Sequence, residues 1–139
     1  MLTGQKSVFV LGEVFGAGVQ DLTYGAKANE DEKVGFRVFD IFVAPKGGPG
    51  RYLDDALLEA ACHGLELPRV PVLYRGPFSK KVMDEYTNGK ETVSGKGMHI
   101  REGIVIRPVV ERRQDNLGRV QLKSISEKYL LRANGTEFH

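Results

Sequence analysis

A chain of 139 residues with 41% apolar content is the size of one modest domain or part of one, which argues against two independent cores. Lys and Arg number 20 against 18 Asp and Glu; the net charge of +2 excludes a broad electrostatic coat for DNA or membrane, so nucleic-acid contacts have to come from local clustering. The single cysteine, Cys62, excludes an internal disulfide framework and has no Cys and His companions at zinc spacing. No leader pattern follows Met1 and no apolar run reaches the length of a membrane span, so a reducing cytoplasm is the expected compartment, with no membrane partner.

Along the chain, "SVFVLGEV", from Ser7 to about Val14, reads as a strand that enters a glycine-punctuated loop, "GAGVQDLTYG". The polar "AKANEDEK" reads as an exposed turn. "VGFRVFDIFV" alternates Phe36, Val38, Asp40 and Phe42 with Arg37, Phe39, Ile41 and Val43; both sets are largely apolar, which predicts a central strand, and "PKGGPG" ends it. Leu53, Ala56, Leu57, Ala60 and Ala61 have the spacing of an amphipathic helix, with Asp54 or Asp55 at its start and Gly64 as the residue just past its end. "VPVLYRG" reads as a short strand, "SKKVMDEY" as a short helix and "NGKETVSGKG" as a surface loop. "EGIVIRPVVERR" and "GRVQLKSIS" flank the turn-like "QDNLG", which predicts an antiparallel hairpin with Pro108 at an edge or bulge.

No generic phosphate-loop, dinucleotide, zinc-protease or serine-hydrolase motif is present. Segments in order nevertheless resemble the nucleotidyltransferase motifs of the ATP-dependent RNA ligase family. "FVLGEVFGAGVQDLTYG" is similar to its third motif, "FRVFDIFV" to the accessory motif that follows, "EGIVIRP" to the fourth and "LKSISEKYL" to the fifth. The Gly-Val-Gln-Asp extension points to phage and bacterial RNA ligases over DNA ligases. The resemblance implies an α+β fold, mainly antiparallel sheet with one or two helices, like part of the nucleotidyltransferase (ATP-grasp-like) core. Residues 1–139 would then be a partial adenylyltransferase domain holding the third to fifth motifs, in the cytoplasm, a host's if the source is viral.

The implied chemistry joins an RNA 5′-phosphate to a 3′-hydroxyl through enzyme-AMP and RNA-adenylate, with ATP as AMP donor and Mg2+ offsetting phosphate charge. By the resemblance, Glu102 is a catalytic carboxylate that holds Mg2+ directly or through water; the alternative reading is a solvated strand end. Lys123 matches the lysine on the α-phosphate, Phe36 the aromatic that stacks on adenine and Glu13 the acid on the ribose. Asp40, inside an apolar strand, is expected to take a structural hydrogen-bonding role, since an unpartnered buried carboxylate is expensive. Arg112, Arg113 and Arg119 are read as a solvated turn, with RNA phosphates as the other possibility. Cys62, His63, His99 and His139 carry no chemistry on this reading.

The chain departs from the family pattern in two places. The first motif, Lys-X-Asp-Gly, supplies the nucleophilic lysine, and no Asp-Gly dipeptide occurs anywhere. Gln121 stands where the fifth motif commonly has the first of two lysines. The expected consequence is a chain inactive alone, whose partners are RNA ends and either an N-terminal part of the domain or a second copy. A catalytically silent nucleotide or RNA-end binding module is the alternative.

Overall fold

The computed structural model describes residues 6–16, 34–92 and 99–131. In chain order the elements are β1 (Lys6–Gly16), β2 (Val34–Pro45), β3 (Arg51–Tyr52), α1 (Asp55–Gly64), α2 (Lys80–Thr87), β4 (Gly103–Ile106), β5 (Arg113–Gln114), β6 (Gly118–Arg119) and β7 (Leu122–Ile125). A further helical turn covers 127–131. The pairs β2–β3, β4–β7 and β5–β6 are antiparallel, so the fold is α+β as the sequence implies. The predicted turn "AKANEDEK" and nearly all of "GAGVQDLTYG" lie outside the described residues. No helix among the described residues is long and apolar enough to cross a membrane.

The described residues fall into two compact units, one of 6–14, 35–70 and 108–120, the other of 15–16, 34, 71–92, 99–107 and 121–131. In the first, β2 is the central strand of the order β1-β2-β3, as its two apolar faces predict. The faces are not divided as strict alternation requires. Val38, Ile41 and Val43 all enter one core with Leu58 and Cys62 of α1, while Phe42 joins an aromatic row with Phe9 and Tyr52 at centroid distances of 6.3 and 4.9 Å. The side-chain phase therefore slips by one residue between Val38 and Ile41, and a slip of one moves every later side chain to the other face.

The face of α1 also differs from the expected one. Leu58 and Cys62 are the buried residues, flanked by Ala61, whereas Leu57 is 48% exposed and Ala56 and Ala60 face outward. Paired apolar neighbours, Leu57-Leu58 and Ala60-Ala61, satisfy helical periodicity on two adjoining faces, and packing against β2 selects one of them. Burying Leu58 fully contributes about 2 kcal/mol. Burial pushes the Cys62 thiol pKa up, which keeps it protonated and inert.

Gly64 is the last helical residue and not the terminator. The helix closes with the Glu66 N–H donating to the His63 carbonyl (3.2 Å) and the Leu67 N–H to the Cys62 carbonyl (2.9 Å), the pairing of a Schellman motif. Glu66 thus occupies the left-handed position, at φ 55°. A β-carbon there is strained, so Glu66→Gly is expected to stabilise the chain by about 1 kcal/mol, read as a higher urea midpoint at unchanged slope. A lower midpoint would contradict it.

"VPVLYRG" forms no strand. Its first residue, Val70, donates its N–H to the Val38 carbonyl at the end of a single parallel bridge between Val38 and Arg69, just upstream of the segment. In the second unit, α2 starts as read, with the Ser79 hydroxyl accepting from the Val82 N–H at 3.1 Å. The predicted loop "NGKETVSGKG" has a paired base: Lys90 and Ile100 form an antiparallel bridge, and Glu91 N–H donates to the His99 carbonyl. The long predicted hairpin is broken into two short ladders, β4–β7 and β5–β6. The break at 107–112 and 120–121 falls where the chain passes between units, with Pro108 at the start of it.

Candidate functional site

The β4–β7 ladder brings the fourth-motif and fifth-motif residues together in the second unit. Gly103 pairs with Ile125, Ile104 with Ser124, Val105 with Lys123 and Ile106 with Leu122. Directly opposed residues point the same way, so Gly103, Val105, Lys123 and Ile125 share one face. That face is open, with Val105 60% and Ile125 42% exposed. Lys123 Nζ lies 3.3 Å from Glu102 Oε1, and both side chains remain solvated. Gly103 is required by close approach: a β-carbon there would collide with the Ser124 carbonyl oxygen of the facing strand.

The ladder is fastened to α2. Thr87 Oγ1 donates to the Met83 carbonyl at 2.6 Å, so the 2.7 Å contact between Thr87 and Ser124 hydroxyls has Ser124 as donor. The fully buried Ser126 bonds Asn88 Oδ1 at 2.9 Å, and its backbone N–H donates to the Glu102 carbonyl. Arg101 closes the C-terminal end of α2, donating to the carbonyls of Tyr86 and Asn88 while its N–H reaches the Gly89 carbonyl. The backbone on both sides of Glu102 is therefore anchored, although its carboxylate is in solvent.

Glu13 and Phe36 lie in the first unit, on the adjacent strands β1 and β2, and both are half-buried. The Phe36 ring rests on the bare Gly12 backbone and packs at the margin of the core. Asp40 has the structural role expected of it. It is buried and accepts from both ends of the Arg119 fork at 2.8 Å, while Glu111 takes two bonds from Arg119, at 3.1 and 2.6 Å. The guanidinium also stacks 3.8 Å over the Tyr52 ring. Arg119 pKa is pushed up, first by its hydrogen bonds to Asp40, against an opposing effect of burial, then by those to Glu111. The expectation of a solvated Arg119 is thus corrected: a buried carboxylate in β2 needs a cation, and Arg119 bonds both of its oxygens. Arg112 and Arg113 are exposed.

The RNA ligase family profile matches residues 2–125, which includes the strands that carry all these positions. The chain belongs to the RNA ligase family. No curated protein matches it. For the magnesium that RNA ligase chemistry implies, no group of three or more acidic, His or Cys side chains that could hold a metal occurs among the described residues. A single carboxylate such as Glu102 would hold such an ion only together with water and phosphate oxygens, not as an all-protein cage. Two residues of the site went without a role in the sequence. Gly103 was legible only as part of Glu-Gly, because interstrand clearance leaves no trace in one sequence, and Arg101 gave no signal beyond its charge.

Proposed function

We propose that the chain serves an ATP-dependent RNA ligase, joining 5′-phosphate and 3′-hydroxyl RNA ends by way of enzyme-AMP and RNA-adenylate. The observation that carries this is the Lys123–Glu102 pair on an open, apolar face of the β4–β7 ladder, in a chain of the RNA ligase family. An exposed pair 3.3 Å apart is weakly held, so its lysine exchanges readily onto a phosphate. A compact ammonium suits that role, and Glu102, released from it, accepts hydrogen bonds from water on a hydrated cation. Bound Mg2+ would supply charge neutralisation on the transferring phosphate. Glu13 and Phe36 would hold the ribose and adenine of the nucleotide.

Replacing Lys123 by Ala is expected to weaken AMP binding at least about tenfold in calorimetry, equivalent to about 1.4 kcal/mol. Glu102→Gln should leave magnesium-free AMP binding nearly unchanged while removing its enhancement by magnesium. AMP binding indifferent to both substitutions contradicts the assignment. A second reading, a module that binds nucleotide or an RNA end without chemistry, is favoured by the absence of Asp-Gly from the sequence. The two separate on intact mass after incubation with ATP and magnesium: a covalent AMP adduct requires a lysine outside the Lys-X-Asp-Gly pattern and ends the silent reading.

A further inference from the structure

The core of the first unit stays open on one flank. Val43 and Ala61 pack with Leu58 and Cys62, and they also line a groove of about 580 Å³ that the described residues leave uncovered. One wall of it comes from α1 and its approach: Leu53, Leu57 and Ala60, spaced i, i+4 and i+7, line the groove, and Leu57 is 48% exposed. Pro45 and Pro49, on either side of the turn after β2, extend the apolar lining. All of these residues belong to the first unit, and none carries a side-chain donor or acceptor. Such a lining takes aliphatic surface, since it offers no ring for a base to stack on and nothing to orient a polar ligand.

The two charged residues that line the groove are both cations. Lys6 of β1 and Arg51 of β3 come from the strands on either side of β2, with Arg51 directly opposite Val43 in the ladder, and both are exposed. The acids of α1 and its start have other partners. Asp54 accepts from the Glu111 N–H, and Asp55 and Glu59 both hold Arg69. An aliphatic strip flanked by exposed cations is complementary to an apolar stripe flanked by carboxylates. A second copy of the chain does not supply that: pairing two such grooves face to face brings like cations together.

The position of the groove beside α1 favours a helix as its occupant. Helices pack side by side at about 8–10 Å, nearer where the contact side chains are small, and the outward Ala60 permits a close approach. We infer that the groove binds an acidic amphipathic helix of a partner protein, laid beside α1 with its apolar stripe on Leu57 and Ala60 and its carboxylates toward Lys6 and Arg51. The inference is independent of the nucleotide reading, because it uses none of Glu13, Phe36, Glu102 and Lys123.

The test uses the full chain and three fluorescein-labelled synthetic peptides of about eighteen residues, beyond the length at which isolated helices are marginal in water. The first has leucines at i, i+3, i+4 and i+7 spacing with glutamates flanking the stripe. The second has lysines in place of the glutamates, and the third has the composition of the first with the stripe scrambled. In anisotropy titrations at low salt, the acidic striped peptide is expected to bind at least about tenfold more tightly than either control. Ala60→Glu places bulk and a repelling charge in the groove from an exposed helical position, so it should weaken that binding at least about tenfold with the thermal melt unchanged. Lys6→Glu with Arg51→Glu should turn the preference over to the lysine peptide, a reversal that a merely structural role of these cations does not produce.

Equal affinity of the parent for the acidic and basic peptides overturns the inference, as does no binding of the acidic one. Affinity of Ala60→Glu within about twofold of the parent overturns it too. Sedimentation of the parent and of Ala60→Glu decides the other occupant. A parent dimer that this substitution dissociates gives the groove to a second copy and sinks the partner helix.

Discussion

Replacing Arg119 by Met is expected to destabilise the first unit by about 3–5 kcal/mol, the effect of removing one member of a buried ion-pair cluster. The side chains of Asp40, Glu111 and Arg119 are only 7, 16 and 12% exposed, so Asp40 above all has little water to fall back on. Against a total stability of about 5–15 kcal/mol for a domain, that loss is a large share, and it populates the unfolded state appreciably where the parent lies at the low end of that range. Arg119→Lys should recover only part, because one ammonium cannot reproduce a fork on Asp40 together with bonds to Glu111 and stacking on Tyr52. Adding Asp40→Asn to Arg119→Met should restore more than 1 kcal/mol, on the order of what removing an uncompensated charge returns. Urea titrations of the three variants decide the matter, and a parent-like midpoint for Arg119→Met would show that the cluster does not hold this unit together.

Gly103→Val is the second large effect. Its β-carbon would strike the Ser124 carbonyl, and the next nearest atoms are the Ser124 carbonyl carbon and the Ile125 Cα, all backbone with no side-chain rotation to yield. Forced overpacking of this kind costs about 1–3 kcal/mol and occasionally more, and the bulk of Val puts this site at the upper end. The strands separate, and with them Glu102 and Lys123. Hydrogen exchange should show amides of β4 and β7 losing protection while those of Val38 and Ile41 keep theirs. AMP binding should fall to that of Lys123→Ala. Uniform loss of protection across both units, or none in β4 and β7, would contradict a defect confined to this ladder.

These two positions show what a single sequence discloses and what it hides. The strands β1 and β2 and helices α1 and α2 follow from local patterns: β-branched and aromatic runs, 3.6-residue spacing and a short helical stretch from Ser79, which the structure makes the cap. Glu102 and Lys123 were singled out separately by motif order, with nothing to pair them, whereas the need of Asp40 for a partner was visible in the cost of burying it. Which cation would answer was not visible, because Arg119 lies far along the chain and reads as one more charge in a turn. The inner face of α1 stayed ambiguous because two apolar faces adjoin. The slip in β2 was hidden because alternation assumes a regular pleat. The end of α1 at Glu66 was missed because glycine signals the left-handed position far better than glutamate does.

The two compact units exchange the chain repeatedly, after Val14, Val34, Val70, Arg107 and Val120. No continuous stretch of gene therefore encodes either one, and no single cut of the chain in an expression library yields either unit whole and free of the other. A protease nick at any one of these crossings likewise separates no intact unit from the other, so limited digestion is a poor guide to how this molecule is organised.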